Sequence, residues 1–343
     1  MNAGPGDSGE LDALLSAPGD GVVRALKSCP GDIVVLGAGG KMGPTLARMA
    51  ARACVLADGA RGRRVMAVSR FSSPGAEAAL NAAGIETVQC DLLDRDAVAR
   101  LPDAPNVVFM AGQKFGTADA PERTWALNVE VPGFCADRYA SSRIVAFSTG
   151  NVYPLVPTGS SGSRETDPPQ PLGDYAKSCL AREQVFESAA ASGTRVAIVR
   201  LNYAIALTYG VLTDLATRIA AGTPIPLAMG QVNVIWQGDA NRAALELLAH
   251  AAAPARIVNV TGADTLSVRL LAKQLGTRLG RTPIFEGTEA EDALLSDASL
   301  MHRLLAPPLV SVHTMLDWTA AWVANGGPLL GKPTKYDVRD GRF

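Results

Sequence analysis

The stretch Asp32-Ile33-Val34-Val35-Leu36-Gly37-Ala38-Gly39-Gly40-Lys41-Met42-Gly43 constrains this chain more than any other. Ile33 to Leu36 are apolar and mostly β-branched, which predicts a short strand buried on both faces of a parallel sheet. Pro44-Thr45-Leu46-Ala47-Arg48-Met49-Ala50 follows, with helix-forming residues throughout. Gly37, Gly40 and Gly43 lie between the two elements at a spacing of three. Glycines so placed let the chain turn tightly and let backbone N–H groups approach a pyrophosphate. They also seat the helix on its strand, with its N-terminus facing the phosphates. A glycine triplet alone says little; between a hydrophobic strand and a helix it predicts a dinucleotide site. Gly37, Gly40, Lys41, Met42 and Gly43 are its expected cofactor-binding residues.

With 343 residues, 48% of them hydrophobic, the chain can bury a large core in one large or two coupled domains. A net charge of -1 without basic blocks argues against nucleic acid as a partner. No apolar run reaches the roughly 18 residues a membrane span needs. The polar, glycine-containing start has no signal-peptide core. Cys29, Cys54, Cys90, Cys135 and Cys179 show no paired spacing and read as reduced thiols of a cytoplasmic protein. His250, His302 and His313 are too dispersed to suggest a metal site.

Read in order, residues 1–30 form a helical extension, with helices near 11–15 and 22–27 packed on the sheet edge. Strands are expected at 64–69, 86–89, 107–110, 143–147 and 194–201. Helices alternate with them at 76–83, 94–101, 121–141 and 174–191. Such alternation with short turns means an α/β fold with a doubly wound parallel sheet, a Rossmann fold, over residues 31–201. Residues 154–171 are rich in Pro, Gly, Ser and Thr and form a long loop of the kind that often serves function. Residues 202–343 read mostly as a smaller substrate-binding lobe. Its expected elements are helices at 212–221, 239–252 and 268–279 and strands at 232–236 and 257–260, some of them returning to the sheet.

Several motifs in this order resemble the extended short-chain dehydrogenase/reductase family, the nucleotide-sugar epimerases and dehydratases. They are Gly37 to Gly43, Cys90-Asp91-Leu92, Phe147-Ser148-Thr149-Gly150-Asn151-Val152-Tyr153, Asp174-Tyr175-Ala176-Lys177-Ser178, Asn259-Val260-Thr261-Gly262 and Thr265-Leu266-Ser267. The resemblance covers about 32–279. It implies that Asp91, beside Leu92, binds the adenine and that Ala111 and Gly112 border the nicotinamide ribose. Asn128 resembles the family's helix asparagine, and Ser148 joins the cofactor-binding set. Tyr175 takes the place of the family's proton-transferring tyrosine, and Thr149 that of the hydroxyl orienting the same substrate oxygen.

The cofactor follows from the end of the second strand. An acidic residue there would accept hydrogen bonds from the NAD ribose, whereas an arginine pairs with the 2′-phosphate of NADP. The strand ends Val68-Ser69-Arg70-Phe71-Ser72-Ser73, with no carboxylate before Glu77. Arg70 can fork onto a phosphate and Ser69 can add a hydrogen bond, so NADP is favoured over NAD.

One position departs from the family. A lysine one helical turn after the tyrosine normally anchors the ribose and lowers the phenol pKa; here that position is Cys179. A free tyrosine with a pKa of ~10 is only about one part in a thousand phenolate at pH 7, and a nearby cation restores part of that base. Lys177 lies about 200° round the helix from Tyr175 and faces away. Lys114, after the fourth strand, is the remaining candidate cation. Two readings follow. One is an NAD(P)-dependent oxidoreductase or epimerase acting on a sugar-like alcohol through Tyr175, Thr149 and Lys114. The other is a cofactor-binding sensor or scaffold whose chemistry has been lost. Asn151, Asn202 and Tyr203 are the expected substrate contacts, with Tyr209, Gln231, Asn233, Trp236 and Gln237 as further candidates. No arginine-rich pattern clamps a nucleotide diphosphate, which favours a free sugar, sugar acid or small polyol. The helices at 121–141 and 174–191 are expected to pair with their symmetry mates in a homodimer.

Overall fold

The computed structural model describes residues 4–59, 62–113, 121–332 and 334–342. Its centre is a parallel sheet of seven strands: β1 (Ile33–Leu36), β2 (Val65–Ser69), β3 (Glu86–Gln89), β4 (Asn106–Phe109), β5 (Arg143–Thr149), β6 (Arg195–Leu201) and β7 (Arg256–Val260). They lie in the order β7-β6-β5-β4-β1-β2-β3, with Ile33 opposite both Val65 and Asn106. This is the doubly wound α/β architecture expected from the alternating elements. Side-chain alternation splits β1 between two cores. Ile33 and Val35 pack with Leu46 and Ala47 on one face, and Val34 and Leu36 with Val131 and Phe186 on the other.

The extension before β1 forms helices α1 (Ser8–Leu15) and α2 (Asp20–Ser28). It does not sit on the sheet edge. Val22, Leu26 and Cys29 make a helical stripe that enters the core with Val35 and Ala47, covering a sheet face instead. The glycine turn leads into α3 (Gly43–Asp58), and α4 (Ala76–Asn81) and α5 (Arg95–Ala99) follow the next two strands.

The helix expected over 121–141 is interrupted. α6 (Pro121–Trp125) passes into a π-helical turn, Ala126–Glu130, before α7 (Val131–Arg138). Pro132 has no N–H to bond the carbonyl of Asn128, so the regular ladder fails there. The widened turn carries Asn128, which is fully buried. Such turns recur at functional sites.

α8 (Gly173–Ala191) packs against β5 and carries Tyr175. Beyond β6, α9 (Val211–Ala221), α11 (Val268–Leu279) and α13 (Val312–Ala324) build a second core around Leu215, Leu275 and Leu316. Between them α10 (Gln237–Glu246) and β7 return to the large sheet. α12 (Ser299–Leu304) and α13 were not foreseen from the sequence, although Ser311 caps α13 by accepting from the Thr314 N–H. No described helix is long and apolar enough to cross a membrane. No group of three metal-ligating side chains occurs among the described residues.

A buried polar knot ties these pieces together. Arg200 on β6 pairs with Glu183 on α8 at 2.7 Å, the two side chains only 3% and 1% exposed. Ser148 on β5 donates to Glu183, and Arg200 also donates to the Tyr153 hydroxyl at 2.7 Å. Tyr153 donates to Asn259 on β7, whose amide in turn donates to the Ser163 and Asp297 carbonyls. The Asn259 backbone N–H donates to Glu165, so the loop 154–171 is pinned at two points. Removing one partner strands a buried charge, which costs about 3–5 kcal/mol. Glu183→Ala is therefore expected to lower the unfolding free energy by about that amount in urea denaturation. An unchanged midpoint would show that the pair contributes nothing.

Candidate active-site cleft

The C-terminal ends of β1, β4, β5 and β6 open into a cleft of about 610 Å³. It lies where the strand order reverses between β1 and β4, the usual ligand position in such sheets. A second hollow of about 450 Å³ lies between α2 and α10. Its Asp239 and Glu246 accept backbone N–H bonds from Leu309, Val310 and Ala306, which makes them anchors for that segment.

The glycine turn is bare at Gly37, Gly39 and Gly43 because nothing larger fits there. Gly37 has φ +84°, and a Cβ there would stand 2.6 Å from the Ala111 nitrogen. A Cβ on Gly43 would overlap the Ala38 carbonyl, and one on Gly39 would meet the Ser69 hydroxyl at 2.5 Å. Backbone surface and the start of α3 are thus presented directly to the cleft, a cradle that suits the pyrophosphate of a dinucleotide. Gly40 and Met42 line it too. Lys41 reaches across: its ammonium lies 3.9 Å from the centroid of the Tyr209 ring and 3.5 Å from the Ala204 carbonyl.

The remaining cofactor candidates separate into two groups. Ser148 and Gly112 line the cleft, while Leu92 and Ala111 are buried packing residues. Ser69 lies beneath Gly39. Arg70 and Asp91 are half exposed and form a loose ion pair at 3.9 Å. Asn128 stands behind the wall rather than in it. It accepts from the Gln113 N–H at 3.0 Å and donates to the Ser178 hydroxyl at 2.8 Å, holding the segment after β4 to α8. Lys114 lies outside the described residues.

Thr149 ends β5 and Tyr175 opens α8, and both line the cleft. Their side chains hydrogen-bond, with Thr149 favouring the ionised phenol. Cys179, completely buried, sits beside Tyr175 against Val152 and Tyr153. Crowding around the phenol pushes the Tyr175 pKa well above its ordinary value, and the Cys179 thiol adds to the rise. Arg182 and Thr149 pull it back down. Lys177 is exposed on the outer side of the helix.

Asn202 is only 2% exposed, lines the cleft, and its amide nitrogen has no partner among the described residues. Asn151 and Tyr203 line the cleft beside it, the Tyr203 hydroxyl donating to the Tyr336 carbonyl at 3.3 Å. Four further candidates prove to be structural. Trp236 is buried against Trp318, 5.4 Å between ring centroids. Asn233 bonds the Ser296 N–H and the Asp264 carbonyl, and Gln237 bonds Thr45. Gln231 belongs to a strand pair with Leu266 and Ser267.

Sequence reasoning missed three contributors. Lys332 and Thr334 reach the cleft from the C-terminal tail. Arg182 lies buried behind it, 6% exposed, donating to the Phe147 carbonyl at 2.9 Å and to Asn128.

Residues 33–261 match the model of the NAD-dependent epimerase/dehydratase family. No curated protein matches the sequence. Among solved structures, UDP-glucose 4-epimerase from Thermotoga maritima, solved with UDP-glucose, has a TM-score of 0.69 at 18% identity, over 86% of this chain and 99% of that one. The dTDP-glucose 4,6-dehydratase DesIV from Streptomyces venezuelae, with NAD and TYD bound, scores 0.70 at 20% identity over 85% and 96%. Pal from Bacillus thuringiensis scores 0.71 at 18% identity over 85% and 98%.

Proposed function

The chain belongs to the NAD-dependent epimerase/dehydratase family, and from that premise we propose that it acts on a hydroxyl-bearing carbon of a free sugar, sugar acid or similar small polyol, with Tyr175 as the acid–base residue. Membership makes it an NAD-dependent enzyme of the epimerase/dehydratase kind. The observation carrying the finer reading is the meeting of Tyr175 and Thr149 in a cleft floored by the bare glycine turn.

The nicotinamide cofactor, held by the turn from Gly37 to Gly43, supplies a hydride acceptor. The chain's own residues handle the proton. The Tyr175 phenolate takes it from the substrate hydroxyl, and Thr149 steadies both oxygens. In the reverse direction the phenol returns it. The unpartnered amide of Asn202 offers a donor to a second hydroxyl, with Asn151 and Tyr203 alongside. The cations among the described lining residues are Lys41 and Lys332; none is an arginine. That supports a substrate without a nucleotide diphosphate.

Cys179 gives a second reading its footing. A cofactor-binding sensor or scaffold would keep the glycine cradle and need no cation beside Tyr175. Turnover separates the two. With NADP and NAD each offered to a panel of free sugars and sugar acids, and UDP-glucose as the counter-case, the wild type is expected to turn over a non-nucleotide substrate. Because the phenol pKa is raised, phenolate grows with pH, so oxidation should climb about tenfold per pH unit from neutrality while reduction stays flat. Tyr175→Phe should lower turnover by ~100-fold or more with NAD binding retained. An active wild type whose rate ignores Tyr175→Phe would overturn this mechanism, and one that turns over nothing leaves the sensor.

The preference for NADP is part of the same proposal. Arg70 stands at the end of β2 and, among the described residues, makes only a long contact to Asp91, which leaves its fork open to a 2′-phosphate, and Asp91 would then stand by the adenine, with Leu92 buried beneath it. Dissociation constants of both cofactors for wild type and Arg70→Ala should show tighter NADP binding that the substitution removes. Equal affinities in the wild type would exclude it.

We also propose a homodimer formed through α6 to α8, in a cytoplasmic setting that suits five free cysteines. Ala176 and Phe186 are buried within the protein and unavailable for pairing. The face falls instead to half-buried Leu180 and Ala181, with Trp125 at 40% exposure nearby on α6. Sedimentation at rising concentration should show the dimer; a concentration-independent monomer would rule it out.

A further inference from the structure

Tyr175, Cys179 and Arg182 occupy one stripe of α8, at i, i+4 and i+7. Seven residues fall about 20° short of two full turns, and helical side chains lean toward the N-terminus. A long side chain at position 182 therefore lies back over the turn that holds Tyr175 and Ser178. Its anchors agree. The guanidinium donates to Asn128, Asn128 donates to the Ser178 hydroxyl at 2.8 Å, and Ser178 donates to the Tyr175 carbonyl at 2.8 Å. Its other arm bonds the carbonyl of Phe147, two residues before Thr149. Gly112 forms the cleft wall at this point, and a Cβ there would collide with the guanidinium. Only a missing side chain separates this charge from the cleft.

Within the described residues the charge has no counter-ion. Among the described residues no carboxylate pairs with Arg182, and its Nε is buried with no partner. The adjacent Glu183 is committed to Arg200 and Ser148. Two neutral acceptors and the Phe109 ring, 5.9 Å from the guanidinium carbon, offset part of its burial, and a cation without a counter-ion favours an anion formed in its vicinity. Among the described residues, the groups facing the Tyr175 phenol are Thr149 from β5 and Cys179 and Arg182 from its own helix. Across the cleft stand Lys41, Tyr203, Tyr209 and Lys332.

We infer that Arg182 is a positioning residue that replaces the cation absent at position 179, its guanidinium stabilising the Tyr175 phenolate from behind the Gly112 wall. This rests on Tyr175 being the proton carrier. The same fold position is then served from two turns along the helix instead of one. Cys179, small and uncharged, leaves room for the guanidinium to lie back.

Fluorinated tyrosine incorporated at position 175 of the full chain brings the phenol's titration into an accessible range, read by fluorine NMR. Arg182→Met is expected to move that titration up by about one unit or more, and Arg182→Lys by less. Adding Cys179→Lys to Arg182→Met should bring it back down, because the new ammonium enters the vacated space. Cys179→Lys alone should lower the melting temperature by crowding two cations. A folded Arg182→Met protein whose phenol titrates as in wild type would overturn the inference. Should Arg182→Met not fold, the double variant decides: if it folds, the cation is what the site needs; if it also fails, Arg182 serves packing alone. The titration needs no substrate. A shifted titration in a chain that turns over nothing refutes the proposed reaction alone, and turnover with an unmoved titration refutes the role of Arg182 alone.

Discussion

The ion pair between Arg200 and Glu183 holds the three parts of the cleft in register. Glu183 belongs to the helix that carries Tyr175, Arg200 to the strand that ends at Leu201, and Ser148, bonded to the same carboxylate, precedes Thr149. Burying two charges is favourable only when the other lone pairs and protons also find partners. Here they do, through Ser148, Tyr153 and Asn259. Thr149 and Tyr175 thus meet between elements clamped a few residues away from each. The meeting of the two side chains depends on an ion pair that does not itself line the cleft.

Arg182 and Arg200 show two uses of one residue type on neighbouring elements. Arg200 is neutralised and serves as a clamp. Among the described residues Arg182 is bonded only to neutral acceptors, so its charge stays unpaired behind Gly112. The difference arises because Glu183 can satisfy one guanidinium, and the geometry gives it to Arg200. In such a site the strand order supplies the cleft, and the allocation of a single buried carboxylate decides where positive charge remains.

The sheet was legible because its signals are local. Ile33 to Leu36 is an apolar run, the turn after it tolerates no Cβ at Gly37, Gly39 or Gly43, and Glu86–Gln89 and Val268–Leu279 stand where the alternation puts them. Tyr175 and Thr149 could be named because their motifs surround them. Other features had no such signal. Pro132 was visible, but a π turn that buries Asn128 also requires the Gln113 backbone and Ser178 as partners. Trp236 and Gln237 look like ligand contacts in sequence, and only Trp318 and Thr45, distant in the chain, reveal them as packing. Arg182 reads as one more charged residue on an ordinary helix until Asn128, Phe147 and Gly112 close around it.

The C-terminal tail carries this contrast furthest. Leu330 donates its N–H to the Thr208 carbonyl, Thr334 bonds Asp214, and Tyr336 receives the hydroxyl of Tyr203. Each contact joins the tail to the lobe after β6, and each spans more than a hundred residues of sequence. The tail places Leu330, Lys332 and Thr334 against the mouth opposite the glycine turn. A parallel sheet with this strand order binds a dinucleotide in one way, so the cofactor half of the cleft varies little in its demands. The other half of the cleft is lined by Asn202, Tyr203 and Tyr209 on the lobe and by the tail laid over them. Those residues lie outside the seven strands, where one side chain can change without disturbing the sheet.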